Sequence, residues 1–213
     1  MDILYQDKRI LVAIKPVGVL STDEAGGMPQ LLRGELGDEK ACVRTVHRLD
    51  AAVSGVMVFA RSAKASSLLS EQMRQRRFTK EYLAVVHGCP PSSGELIDLL
   101  GRDKQRRITF VADAPGPEVR EAKLHYKVLE NREGLSLVSV RLYTGRTHQI
   151  RVQFASRGFP LAGDRKYGID DGFDNIALWS HRIGFAHPET GESVEFTALP
   201  PQTGAWGMFS SYR

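Results

Sequence analysis

The 213-residue sequence has two cysteines, Cys42 and Cys89, and no CxxC pair. That excludes a disulfide-stapled scaffold and fits a reducing, cytoplasmic setting. No stretch approaches the roughly 18 unbroken apolar residues that a membrane-spanning helix needs. The N-terminal MDILYQDKRI lacks the basic, apolar and small-residue order of a signal peptide. Three nucleotide and nucleophile signatures are also missing: GxxxxGK[ST], GxGxxG after a strand, and GxSxG. His47, His87, His125, His148, His181 and His187 are scattered, with no two of them three or four residues apart. A zinc site is therefore not expected, and without HxE and PCxxC neither is a zinc deaminase. The expectation is chemistry with no metal and no cofactor.

What is present is ordinary in bulk, 42% hydrophobic and 25% charged, with a net charge of +4. The distribution of charge says more than the total. Asp23, Glu24, Glu35, Asp38 and Glu39 make one segment acidic, against Arg33. Arg61, Lys64, Arg74, Arg76, Arg77 and Lys80 make the next basic, against Glu71. A second basic cluster, GRDKQRR, carries Arg102, Lys104, Arg106 and Arg107. Such clusters are either solvated faces or contacts for phosphates, and their repetition suits a nucleic-acid path.

No repeat, low-complexity stretch or linker divides the chain, so a single domain over residues 1–213 is expected. RILVAIK, closed by Pro16 and Gly18, and SGVMVFA read as buried strands. Ser62 can cap a helix reaching Arg76, with Leu68, Leu69 and Met73 on its apolar side. TKEYLAVVHG returns to strand, and KLHYKVLE and LSLVSVRLY flank NREG as a hairpin. THQIRVQFASRG reads as a helix capped by Thr147 and ended by Gly158, and ESVEFTALPP as a late strand. Residues 21–44 and 89–120 read as irregular. Many strands, frequent hairpins and no regular βαβ alternation predict an α+β fold on a mixed, mostly antiparallel sheet with flanking helices.

Within VHRLDAAVSGVMVFARSAKA, one carboxylate, Asp50, stands at the edge of an apolar run. A carboxylate buried alone would cost several kcal/mol, so Asp50 is hydrogen-bonded or paired. The local sequence leaves two readings, a turn cap or a reactive acid. Tyr82 in an alternating strand fits core as well as ligand, Arg151 on a helix fits a solvent-facing side chain, and Gly145 fits a turn before that helix.

Taken together, VHRLD, KEYLAVVHG, TGRTHQIRV and GDRKYG resemble the RluA-type family of RNA pseudouridine synthases. The resemblance runs from KPVG (Lys15 to Gly18) to FAHPETGE (Phe185 to Glu192) and the FTALP strand. It implies that Asp50, the last residue of HRLD, is the catalytic aspartate, and that Tyr82 of KEY lies against the target uracil. Arg151 would pair with Asp50, and Arg48 would help displace the base from the RNA stack. Three positions depart from the family pattern: Val53 replaces a usual threonine, and Gln153 and Trp179 replace usual histidines. They bear on surrounding contacts and substrate choice.

The chemistry suits these residue types. Isomerising uridine breaks the bond from ribose to ring nitrogen, turns the base and rejoins it through carbon. One ionised carboxylate can act as nucleophile or base, an arginine keeps it charged, and an aromatic face holds a flipped base. A glycoside or nucleoside hydrolase would need paired carboxylates, and only Asp50 stands in a motif. A non-catalytic RNA-binding module of the same fold is the other alternative. Some members of that family carry an extra N-terminal RNA-binding domain; this chain begins at the catalytic strand, and a single catalytic domain without that addition is expected. It would act as a monomer on a stem-loop of tRNA or ribosomal RNA.

Overall fold

The apolar runs become strands in the computed structural model, which describes residues 1–211. In chain order the elements are β1 (Ile3–Gln6), β2 (Ile10–Lys15), α1 (Met28–Glu35), β3 (Arg44–Thr45), β4 (Ser54–Ala60), α2 (Ala63–Arg74) and β5 (Thr79–His87). They continue with β6 (Ser93–Asp103), β7 (Ile108–Val111), β8 (Arg120–Arg132), β9 (Leu135–Leu142), α3 (Gln149–Ala155), β10 (Leu178–Ala186) and β11 (Ser193–Thr197). A short 3-10 helix, Gly204–Met208, follows. The chain divides into two compact units, Met1–Lys80 with Trp179–Pro200, and Glu81–Leu178 with Pro201–Arg213.

In the first unit β1, β2 and β4 pair antiparallel in sequence order of position. The opposite edge of β4 is shared. β10 lies parallel to its start, at Ser54 and Gly55, and β3 lies antiparallel to its end, at Phe59 and Ala60. β11 then pairs antiparallel with β10. Ser62 caps α2 by accepting the Ala65 N–H at 3.1 Å, as its sequence position predicts. The helix ends at Arg74, and Leu69 rather than Leu68 faces inward, since Leu68 is 39% exposed. Ile10, Val12, Val56, Val58, Leu69, Phe78, Ile183 and Phe185 form the core beneath it. Phe78 and Phe185 stack with ring centroids 5.2 Å apart.

In the second unit the pairing is antiparallel throughout: β5 pairs with β9, β9 with β8, β8 with β6 and β6 with β7. The β8–β9 turn uses Glu133 and Gly134 at φ 51° and 76°, the two-residue geometry that NREG predicts. β6 and β7 occupy the segment expected to be irregular. PPSSG and DAPGP mark only its ends, and GELIDLL alternates, with Leu96 and Leu100 buried. Likewise α1 lies in the first irregular segment, its eight residues too few to show a period beyond Met28 and Leu32. α3 begins at Gln149. Its N-cap is His148 at φ 54°, while the Thr147 hydroxyl instead accepts from Arg102 Nη1 at 3.0 Å. Ile150 and Phe154 are buried four residues apart, as expected. The α+β class and the mixed, mostly antiparallel strand pairing are as the sequence predicts.

Candidate active site

Asp50 stands on the loop between β3 and β4, half-buried, between the buried Leu49 and the exposed Ala51. That loop is tied down almost residue by residue. The Ser21 hydroxyl donates to the Leu49 carbonyl at 2.8 Å and accepts the Leu49 N–H at 3.0 Å. The Ala51 carbonyl accepts from the Gly18 N–H at 2.8 Å and from Lys15 Nζ at 3.0 Å. The Val53 N–H closes a turn onto the Asp50 carbonyl at 2.9 Å. Each of these bonds uses backbone around Asp50 and leaves its carboxylate to other partners.

Lys15 is the unexpected member of this group. At 0% exposure it is among the largest fully buried side chains, and its ammonium donates to the carbonyls of Pro16 (2.8 Å), Val19 (2.6 Å) and Ala51 (3.0 Å). Three donors meet three acceptors, the full complement of an ammonium. Burial draws its pKa down to about 8, with the charge of Asp50 acting in the opposite direction. A cation thus underlies the loop that carries the carboxylate. KPVG contributes to the family resemblance, but nothing in a lone lysine after an apolar strand announces this role.

The glycine that follows Asp50 has a definite cause. Gly55 adopts φ 121°, and a Cβ there would stand 2.4 Å from the Ser180 carbonyl oxygen and 2.5 Å from its nitrogen. Only glycine lets β4 approach β10 this closely. His47 is buried, and burial, with the Lys80 charge pushing the same way, lowers its pKa to about 3. It is therefore neutral, its Nε2 accepting the Val58 N–H at 3.2 Å. Arg48 is exposed.

The second unit holds Tyr82 and Arg151. Tyr82 lies on β5 opposite Val140 of β9 and is 6% exposed. Arg151, on α3, is not solvent-facing: its side chain is 7% exposed. Its Nε and Nη2 donate to the two carboxylate oxygens of Asp164 at 2.8 and 2.7 Å, and the Asp164 side chain is 1% exposed. Asp164 Oδ1 also accepts the Lys166 N–H at 3.0 Å. The guanidinium carbon lies 5.1 Å from the centre of the Tyr167 ring. Tyr167 is fixed in turn, its hydroxyl accepting the Thr109 N–H at 2.8 Å and lying 2.6 Å from His148 Nδ1. Asp164 and Tyr167 both come from GDRKYG, which carries part of the family resemblance, though nothing in its local sequence assigns either residue this contact.

The three departures from the family pattern are built into the packing. Val53 is 2% exposed, and the Trp179 indole donates to the Ala198 carbonyl at 2.9 Å. Gln153, fully buried, donates from Nε2 to Asp98 at 2.7 Å. The Gln153 Oε1 is buried without a hydrogen-bond partner among the described residues, so that replacement is only half satisfied.

Comparison with known proteins gives the class. The family model described as RNA pseudouridylate synthase matches residues 9–156, a span that contains Arg48, Asp50, Tyr82 and Arg151. The uncharacterized RNA pseudouridine synthase YlyB of Bacillus subtilis is 38% identical over 95% of this chain and 70% of its own length. Ribosomal large subunit pseudouridine synthase D of Neisseria meningitidis is 34% identical over 94% of this chain, which spans only 58% of that relative. Among solved structures, human RNA pseudouridylate synthase domain containing 1 superposes with a TM-score of 0.81 at 25% identity, covering 96% of this chain and 85% of its own. These matches define an isomerase that acts on uridine in RNA. The chain belongs to the RNA pseudouridylate synthase family, in its RluA-type branch.

Proposed function

We propose that this chain converts uridine to pseudouridine in structured RNA, a stem-loop of tRNA or ribosomal RNA, with Asp50 as the catalytic carboxylate. Tyr82 lies against the target uracil, Arg151 pairs with Asp50, and Arg48 assists in displacing the base. The whole described set acts as one catalytic domain, as a monomer in the cytoplasm. Support for the residue roles comes from the motif matches within residues 9–156. The observation that carries the reading is the construction around Asp50. A half-buried carboxylate is mounted on a loop whose backbone is pinned at Leu49 and Ala51, above a buried ammonium. Such fixing leaves little reorganisation at the moment of reaction.

The isomerisation leaves the composition of the nucleotide unchanged: the bond from the sugar to ring nitrogen breaks, one to ring carbon forms as that carbon loses its proton, and the freed nitrogen takes up a proton. Asp50 supplies a nucleophile or a base for this exchange. The base must leave its stack to reach the carboxylate, and an aromatic ring such as that of Tyr82 offers it a face. Mapping pseudouridines in total RNA from cells with and without this protein tests the reading. Specific uridines losing modification in its absence support it; identical maps, or release of free uracil by the purified protein, would overturn it.

A further inference from the structure

Where β9 ends, Tyr143 leaves a ring 37% exposed in the second unit. Two cations lie over it: Lys123 Nζ is 5.5 Å and Arg141 Cζ 5.9 Å from its centroid. The backbone below is rigidly held. The N–H groups of Tyr143 and Thr144 both donate to the Lys123 carbonyl, at 3.1 and 3.2 Å. The Thr144 hydroxyl accepts the Lys123 N–H at 2.8 Å and donates to Gln149 Oε1 at 2.8 Å. Gln149, 3% exposed, returns a bond to the Lys123 carbonyl at 3.1 Å and accepts the Arg146 N–H at 3.0 Å.

More positive charge gathers on the same turn. Exposed Arg146 donates from Nε to the Glu121 carbonyl at 2.9 Å, and exposed Arg102 reaches the Thr147 hydroxyl. Acids compete: Glu95 meets Lys123 at 3.0 Å, both side chains about a third or more exposed, and Glu81 stands opposite Arg141 across the β5–β9 ladder. Surface pairs of this kind hold only about 1 kcal/mol or less, so a phosphate can displace Glu95. A partly exposed aromatic ring on a hydrogen-bonded backbone, with two cations over it that phosphates can draw away, matches a nucleobase with its flanking phosphates. An acidic peptide would use the cations but not the ring.

We propose that Tyr143, Lys123 and Arg141 form a subsite for an unpaired nucleotide of the substrate RNA, distinct from the uridine being isomerised. The base stacks on Tyr143, and adjacent phosphates contact Lys123 and Arg141. The inference rests on the RNA activity proposed above and adds a recognition element to it.

The test measures binding of the full chain to a labelled stem-loop RNA with a uridine-rich loop, and to a fully paired duplex of equal length. Tyr143→Ser should weaken stem-loop binding about fivefold or more, the range of base–aromatic stacking, and leave duplex binding unchanged. Tyr143→Phe and Tyr143→Trp should stay within about twofold because they keep the π face. Lys123→Gln should lower the salt-dependence slope by about one, whereas Tyr143→Ser should not. Wild-type affinity in Tyr143→Ser, an equal loss on the duplex, or failure of Trp to preserve binding would overturn the subsite while leaving the RNA reading intact. Absence of any RNA binding by the wild-type chain would overturn both.

Discussion

Asp164→Asn is the substitution that examines the second unit most sharply. Asparagine preserves size and keeps an oxygen to accept the Lys166 N–H, now at 3.0 Å, so the change removes the charge and turns the oxygen that accepts from Arg151 Nε into a donor. What it withdraws is the anion facing Arg151 across two bonds of 2.8 and 2.7 Å, between side chains 7% and 1% exposed. Breaking a buried pair from one side costs about 3–5 kcal/mol where the remaining charge is left alone, and the proposed pairing of Arg151 with Asp50 puts this case at the lower end. For a chain of this size, each kcal/mol moves the melting temperature by about 2–4 °C. Scaling the lower bound gives a fall of roughly 6–12 °C. Arg151→Met should cost a similar amount, and the double variant should cost less than the sum, with coupling of about 1–3 kcal/mol. Thermal melts of the four proteins in one buffer supply the cycle. A single-variant shift within about 2 °C, below the effect of 1 kcal/mol, or simple additivity would refute the claim that this pair holds Arg151 in place.

Lys15→Met should lose about 2 kcal/mol or more, since three carbonyls lose their donor in a dry site; chemical denaturation reads it directly, and an unchanged midpoint would contradict the cradle. The pH dependence of that lysine follows from its depressed pKa of about 8 against an ordinary 10.5. Above the ordinary value both states are neutral. As pH falls through 10.5 and then 8, the unfolded chain takes the proton more readily, so this group's share of stability declines, by about 3 kcal/mol in total. The Lys15→Met protein should lack that component between pH 8 and 10.5, and a parallel stability profile for both proteins would disprove it. Gly55→Ala should destabilise by more than about 2 kcal/mol, because its methyl group meets the Ser180 backbone and its φ is unfavourable. A melting temperature equal to wild type would show that β4 and β10 can separate freely at that point.

Much of this was readable beforehand, for reasons that differ by element. β4 coincides with SGVMVFA and α2 begins where Ser62 caps it, because a fully apolar run and a side-chain cap are local signals. β6 and β7 were hidden because turn residues at both ends outweighed an alternation diluted by glycine and charge. Thr147 resembled a cap, yet its hydroxyl serves Arg102 on a distant strand, a partner that no local window contains. The motifs brought Asp50, Tyr82 and Arg151 forward. Lys15, Ser21 and Asp164 were not distinguished, since a residue that anchors a loop or a guanidinium does so through contacts 13 to 36 positions away.

The central claim is that Asp50 performs the isomerisation, and Asp50→Asn addresses it most directly. Asparagine has nearly the same volume and can keep a structural hydrogen bond, but its amide is a poor nucleophile and a poor base at neutral pH. Pseudouridine formation would be measured in a pool of stem-loop RNA, with binding and melting temperature recorded on the same preparations. The account predicts product falling to background while RNA binding and folding persist. Wild-type levels of pseudouridine from the Asp50→Asn protein would contradict it.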